Sequence, residues 1–519
     1  MAGPQVWLAA KGASDTRLTY QPQTTYWKAT YLRYTNWASE TMVGTMTGSV
    51  RFGATLHTTL QRNADIADRT YIKVVMPKLV DNRAALDGIS RDTPADQRTL
   101  TEADNVRYTN GIGFYLFEEI RCKIGGHEFD SYGSRAARIL EDALTPERNR
   151  FRSLIGDFDT DADAFNQQTV QPVTPQTVGS LVPNAIPNET FTLYVPMYFW
   201  WSMLAHDKSI PLIALQNHQV SLEFRVRRPR DLITFTYPTE NVAGRSSIIY
   251  DGGDPARVSA AVAAISNDGS SGSVLFNPDN LQIELLIDFV FLDTRERKAF
   301  SCKCLEYLIE QTQEVQLGQA QSGASSFTGR INFNHPVIFL AFHSQFVARR
   351  SELNQWDDWT GNRGAGTGLG ILAPLSSNVA VDMWSTLTLR INNQMLFQPL
   401  DAEYLRLVTT ADAGGFRPDL YYYMIPFCLD MHEHSVVGQH AKNPNGSMNF
   451  SRIDTVEINA LQAVAATNTL NTQLYDTTGV DLLEDPSATT GTQIDNFCVA
   501  RNYNYVKYAA GQAGLFYAN

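Results

Sequence analysis

Cysteine is scarce. Five residues, Cys122, Cys302, Cys304, Cys428 and Cys498, stand in a chain of 519, and no two form a CxxC pair. An odd set without that spacing suggests neither a disulfide framework nor a zinc ribbon, so reduced thiols in a cytosolic compartment are expected. No apolar run approaches the roughly 18 residues that a membrane-spanning helix needs. The opening MAGPQVWLAAKGASDTR has no basic region leading into a long apolar one, so neither a standard secretory signal nor a membrane span is expected. Cationic excess is missing too, with a formal net charge of -12 at pH 7. Phosphate binding depends on Lys and Arg neutralising the backbone, so direct, sequence-specific nucleic acid binding is not expected, and an acidic surface facing solvent is.

Strand patterns are what the chain has in quantity. Its composition is that of an ordinary globular protein, 43% hydrophobic with 26 Phe and 22 Tyr, and those aromatics suit pleated, half-buried surfaces. The length exceeds one hydrophobic core, so two domains of roughly 200–250 residues are the natural expectation. Leu281, Ile283, Leu285, Ile287, Phe289 and Phe291 alternate with Gln282, Glu284 and Asp288, which is a long strand with one face on a core. Shorter alternations occur at Phe191 to Val195, Val220 to Val226, Leu387 to Ile391 and Val456 to Ile458. Helical spacing is rare. It covers Ala136, Ile139, Leu140, Ala143 and Leu144, after which Thr145-Pro146 reads as the start of a further short helix through Ile155. It recurs at Leu400, Tyr404, Leu407 and Val408, with Asp401 as candidate cap.

The order of these elements repeats. A strand ending at Ile124 meets Gly125-Gly126, then a helix, a strand ending Val195-Pro196, and a strand at Val220 to Val226. A strand ending at Ile391 meets Asn392-Asn393, then a helix, Ile425-Pro426, and a strand near Thr455 to Ile458. One antiparallel β-domain in two tandem copies explains both. Long polar loops are expected at about 80–110, 156–188, 239–280, 349–379 and 461–494.

Five segments bear a family resemblance. TYWKATYLRYTNWASET (Thr25 to Thr41) with FGATLHTTLQRNADI, YLFEEIRCKIGGHEFDSYGS from Tyr115, IPLIALQNHQVSLEF from Ile210, FNHPVIFLAF from Phe333 and NGSMNFSRID from Asn445 stand in this order. They resemble segments of the double jelly-roll major capsid proteins of nucleocytoplasmic large DNA viruses. Trp37 stands where that family usually has Phe, and Ile338 where it often has Lys. The resemblance implies an all-β fold of two tandem eight-stranded antiparallel jelly rolls with short helices in the loops, and a structural shell subunit rather than an enzyme. It implies trimers that form pseudo-hexagonal capsomers and tile an icosahedral shell around an internal membrane and DNA genome. The implied partners are further copies of the chain, minor capsid and penton proteins, and the membrane surface through an N-terminal arm; the place is the virion, after synthesis in the host cytoplasm. Expected boundaries are 1–25 for the arm, 26–228 for the first jelly roll and 229–519 for the second.

No catalytic, cofactor-binding or metal-binding residue is assigned. His432, His434 and His440 invite a metal reading, but no third ligand is fixed by spacing and HExxH is absent. Cys302 and Cys304 read as buried thiols. GNRGAGTGLG (Gly361 to Gly370) lacks the Lys-Ser/Thr of a phosphate loop and reads as a surface loop. His335-Pro336 reads as a strand start, since Pro removes a ladder donor there, and Ile210-Pro211 likewise. Arg452 and Asp454, two apart, would share a strand face. The basic clusters Arg225 to Arg230, Arg295 to Lys298 and Arg349-Arg350 read as solvated strand ends, with acidic partners as the alternative. Sequons begin at Asn188, Asn445 and Asn449. The aromatic WDDW, Trp356 to Trp359, suits sugar stacking and keeps a jelly-roll carbohydrate-binding protein as the rival reading. A pentameric vertex or minor capsid protein is the second rival.

Overall fold

The computed structural model describes, apart from isolated positions, residues 12–21, 34–80, 105–145, 152–158, 168–170, 189–203, 206–236, 280–321, 326–347, 356–360, 382–416, 418–431, 444–461 and 493–517. Sixteen strands carry the architecture. The first eight are β1 (Trp37–Thr45), β2 (Thr55–Thr59), β3 (Ile66–Pro77), β4 (Phe117–Ile124), β5 (His127–Gly133), β6 (Thr190–Pro196), β7 (Val220–Val226) and β8 (Gln282–Leu292). The second eight are β9 (Leu305–Gln321), β10 (Ser326–Ile331), β11 (Pro336–Phe346), β12 (Thr386–Ile391), β13 (Gln394–Met395), β14 (Tyr422–Pro426), β15 (Val456–Leu461) and β16 (Gln493–Ala509).

The first set forms antiparallel sheets in the orders β1-β8-β3-β6 and β2-β7-β4-β5, the second β9-β16-β11-β14 and β10-β15-β12-β13. Each strand of the second set carries its counterpart's number plus eight, so one jelly-roll order occurs twice. The turns agree. Gly125 and Gly126 have φ of 61° and 85°, and Asn392 and Asn393 have 47° and 65°. Both pairs close two-residue hairpins, Ile124 opposite His127 and Ile391 opposite Gln394. Positive φ at both central residues is what such a turn requires, and Gly and Asn supply it with least strain.

The long alternating strand is β8, and its Ile283, Leu285, Ile287 and Phe289 are buried. Its partners move the expected boundary. β8 lies between β1 and β3, with Leu285 opposite both Gly44 and Ile72. A division near 228 would assign it to the second domain, whereas its hydrogen bonds lie with the first. We therefore propose the division at helix α2 (Thr294–Cys302), which Asp293 caps by accepting from the Thr294 amide and which buries none of its residues.

Helix α1 (Ser134–Leu144) has the expected apolar positions, all buried. Thr145 is its C-cap rather than a new N-cap, and a short helix follows at Arg152–Ile155. In the second half the helical spacing becomes a π-helix, Tyr404–Val408, continued by Thr409–Asp412. Asp401 does not cap it; it pairs with Thr386 in a short strand, Leu400–Asp401. Pro336 is the first residue of β11, as its chemistry demands, and His335 before it has a φ of 67°. Ile210-Pro211 opens no strand; Pro211 starts the 3-10 turn Leu212–Ala214.

Two cores follow from two sandwiches, but they are unequal. One cluster, around Leu340, Phe342, Leu389 and Ile458, lies inside the second sandwich. The other joins the interior of the first to Phe339, Ala341, Tyr422, Met424 and Val499 of the second. Leu340→Ala, at a site with no exposure, is expected to lower stability by about 2–5 kcal/mol. Leu429→Ala, at an exposed position, should stay within about 0.5 kcal/mol. Urea midpoints of the two variants check the contrast.

Candidate functional site: the seam between two sandwiches

The outer face of β9-β16-β11-β14 meets the first sandwich along a seam, and the seam is charged. α1 lies on this face as one wall. Arg138 from α1 meets Asp157 at 2.6 Å, Asp357 at 3.2 Å and Glu141 at 3.4 Å, with every partner nearly inaccessible to water. The Tyr115 hydroxyl donates to Asp357, and Asn110 donates to Asp157 at 2.8 Å. Burial works against the Arg138 charge, yet Asp157, Asp357 and Glu141 together hold its pKa well above the usual arginine range. Burial raises the Asp357 carboxyl in spite of Arg138. Asp157, closer to the guanidinium, is held low against the same pull of burial.

A second charged group sits where β5 meets β9. Arg501 on β16 bonds Glu310 at 3.2 Å and the Thr312 hydroxyl at 2.7 Å, and reaches the Tyr198 carbonyl of the first sandwich at 3.4 Å. The Thr312 amide donates to Asp130 at 3.1 Å, and the Gln311 amide group donates to the Phe129 carbonyl. Burial pushes the Asp130 carboxyl up to about 7, with Arg501 and two backbone amides pulling it down.

Aromatic rings fill the space between. Arg135 lies 3.9 Å above the Phe497 ring and pairs with Glu314 at 3.7 Å, while Arg227 lies 4.2 Å above Trp356. His343 is held between Trp359 and Phe497, at ring distances of 4.4 and 5.3 Å. Neither of its ring nitrogens has a hydrogen-bond partner among the described residues, and burial, then Arg135, keeps its pKa well below the usual imidazole range. Backbone bonds fasten the rims. Phe416 donates to the Ala143 carbonyl at 3.3 Å and Asn217 to that of Gly511 at 2.8 Å; the Asp142 carboxylate accepts from the Asp419 amide at 3.0 Å. Stacked rings and buried ion pairs of this kind fix one relative placement of the halves, because any shift strands a buried charge.

The seam reassigns several residues. Trp356 and Trp359 are buried in it, with Asp357 and Asp358, so WDDW clamps one half of the chain to the other and offers no ring to a sugar. Arg227 and Arg350, from two of the basic clusters, face inward: Arg350 pairs with buried Asp495 at 2.6 Å. Arg297, on α2, pairs with buried Asp65 at 2.9 Å. Arg225 is a strand end in solvent, paired with Glu118 at 2.9 Å. Cys302 and Cys304 are exposed, and the buried thiols are Cys122 and Cys498. Arg452 and Asp454 share no strand face, since Phe450–Arg452 is a 3-10 turn capped by Asn449. That turn locks His335 instead: the His335 amide donates to the Ser451 hydroxyl at 2.8 Å, and its carbonyl accepts from Phe450 at 3.0 Å. Asn445 donates to the Asp430 carbonyl at 2.7 Å. His432, His434, His440, Asn188 and Gly361 to Gly370 lie outside the described residues.

Arg138, Asp157, Asp357, Asp130 and Arg501 are the groups that sequence reasoning misses. A signal existed in β16, where Asp495, Asn496, Arg501, Asn502 and Asn504 interrupt IDNFCVARNYNYVKY. Polar positions inside a strand otherwise rich in Phe, Val and Tyr fit a strand buried on both sides with a hydrogen-bonded second face.

Comparison with known proteins agrees with the fold. Residues 25–293 match the family described as major capsid protein N-terminus, and residues 296–514 the family described as large eukaryotic DNA virus major capsid protein. The major capsid protein of Paramecium bursaria Chlorella virus 1 is 26% identical over the full length of both chains. That of Chrysochromulina ericina virus is 25% identical, again with both chains covered completely. A chain of the quasi-atomic PBCV-1 virus capsid superposes with a TM-score of 0.59 at 23% identity, covering 95% of this chain and all of that one. The Faustovirus major capsid protein superposes with a TM-score of 0.59 at 13% identity, covering 96% and 94%.

Arg138→Met removes the buried cation that Asp157, Asp357 and Glu141 share, and a loss of about 3–5 kcal/mol is expected in urea unfolding. Asp130 supplies a pH test. Its folded pKa lies above its unfolded one, so its proton-linked stabilisation is complete below about pH 4 and is lost as the pH rises through about 7. His343, held neutral, acts oppositely and costs stability as the pH falls below about 6.5. Comparing Asp130→Asn with the parent at each pH isolates the carboxyl: the parent should lose stability relative to the variant between about pH 4 and 7, and parallel curves would contradict this.

Proposed function

The chain belongs to the major capsid proteins of large eukaryotic DNA viruses, and we propose that three copies of it form a block of pseudo-hexagonal outline that tiles the facets of an icosahedral shell. One observation carries this reading. A single chain holds two sandwiches of identical strand order, joined through a seam crossed by the ion pairs Arg138–Asp357 and Arg135–Glu314 that fixes one as a rigid neighbour of the other. Three such pairs, head to tail around an axis, supply six similar sides, and six similar sides tile a flat surface. The subunit's work is then geometric: it makes obligate contacts within the trimer, of the order of 2,000–5,000 Å², and weaker ones between trimers.

The chain performs no catalysis in this reading, and it is delivered to the virion after synthesis in the host cytoplasm. Its partners are other copies of itself, minor capsid and penton proteins, and an internal membrane approached through the N-terminal arm. The arm contains the short helix Ala13–Thr19, with Leu18 exposed on it and Tyr20 exposed just after it, and apolar side chains displayed on a short segment fit a docking role. A sugar-binding monomer is disfavoured by the burial of Trp356 and Trp359.

Negative-stain images and mass photometry of the purified full chain test the proposal. Three-fold particles with a hexagonal outline, at three chain masses of 57.9 kDa, are expected. Five-fold particles would favour a vertex protein, and a stable monomer would sink the shell reading.

A further inference from the structure

The proposed ring needs two kinds of joint, one inside each chain and one between copies, and the duplication identifies the second from the first. Inside the chain, β5 and α1 of the first sandwich cover the outer face of β9-β16-β11-β14. The counterpart of that face is the outer face of β1-β8-β3-β6. The counterpart of β5 with α1 is β13 with the helical turn from Tyr404 to Asp412.

Among the described residues both counterparts display exposed apolar side chains. On the sheet, Val43, Leu286 and Tyr71 stand opposite one another across three strands. The next row brings Lys73 beside Tyr194 and across from Glu284, the last two charges paired at 2.9 Å. Val43 is 58% exposed, Tyr71 39% and Tyr194 38%. On the other surface Met395 is 53% exposed, Leu396 47%, Tyr404 42% and Val408 40%. Isolated apolar side chains on a surface need no explanation. Two clusters, each at the place where the other half of the same chain is buried by its neighbour, do.

We propose that β13 and the turn Tyr404–Asp412 of one copy dock on the outer face of β1-β8-β3-β6 of the next copy, repeating between chains the joint that exists within one. This rests on the trimeric reading and assigns its contact. The joint is heterologous, one surface meeting a different one, so it closes only when the ring does.

Tyr71→Glu and Val408→Glu each place a charge on one of the two surfaces, at positions exposed enough to leave the fold intact; urea midpoints close to the parent's confirm that. Mass photometry of the full chain is expected to show the parent at three chain masses and each variant alone at one. A mixture of the two variants has one intact pair of surfaces, and should yield an open dimer of two chain masses. Phe516→Glu, an exposed aromatic elsewhere on the second sandwich, should stay trimeric. Should charge unfold a variant, Tyr71→Ser and Val408→Ser replace the pair, each expected to raise the trimer's midpoint concentration at least tenfold. A trimeric parent whose Tyr71 and Val408 variants also remain trimeric overturns this contact and leaves the trimer standing. A parent that never trimerises overturns both.

Discussion

Over β14, nearly all of β11 and most of β16, the sheet β9-β16-β11-β14 is closed to water on both faces, and much else in the chain follows from that constraint. An antiparallel sheet ordinarily packs one face and wets the other. Here one face closes on its own sandwich through Leu340, Phe342 and Cys498, and the other meets the first sandwich through Phe339, Ala341 and Val499. The segment VIFLAF is apolar without alternation for this reason: β11 is buried at every position from Val337 to Phe346. The polar residues of β16 are the same constraint met differently, since a buried strand that carries Arg501, Asn502 and Asn504 must find partners for each. On β9, Glu310 and Thr312 partner Arg501, Gln313 donates to Asn502, and Gln311 accepts from Asn504.

A seam of ions is a poor device for raw stability. Removing charges from water costs several kcal/mol each, and apolar residues of the same volume often do as well. What buried charge does well is to penalise every arrangement but one. Arg138 reaches Asp157 in its own half and Asp357 in the other, so a rotation of one sandwich against the other would leave at least one carboxylate without its cation. Rigidity of that kind is what a tile requires. An angular error at one joint is multiplied around a ring.

The fold was legible in the sequence where local chemistry decides it. Gly125-Gly126 and Asn392-Asn393 announce two-residue hairpins because few other residues tolerate their backbone angles, and the repeat of turn, helix and proline-ended strand exposes the duplication. β16 escapes periodicity, since a strand buried on both faces, as it is from Ile494 to Asn504, does not alternate. The place of β8 was illegible because its partners, β1 and β3, lie more than 200 residues back, and nothing local records which sheet a strand will join. The seam was hidden for a third reason. WDDW has the composition of an exposed sugar platform, and only the tertiary approach of Arg227 to Trp356, and of Arg138 to Asp357 beside it, turns it inward.

The contrast between the two joints has its own logic. The joint inside the chain forms once, between halves tethered at high effective concentration, so the desolvation of its ions is opposed by little lost freedom. A joint between free copies bears the full cost of lost translation and rotation, which runs to several kcal/mol or more. Apolar surface suits that situation, because it is attractive without strict geometry and lets a misplaced copy leave. The outer face of β1-β8-β3-β6 answers that description, with Val43, Leu286 and Tyr71 in one row, Lys73 and Glu284 on one side of it paired with each other, and Asp288 on the other side accepting from the Thr41 hydroxyl. Duplication followed by divergence would thus have placed specificity where the chain is its own neighbour and reversibility where it is not, so that shape is set in folding and only number is set in assembly.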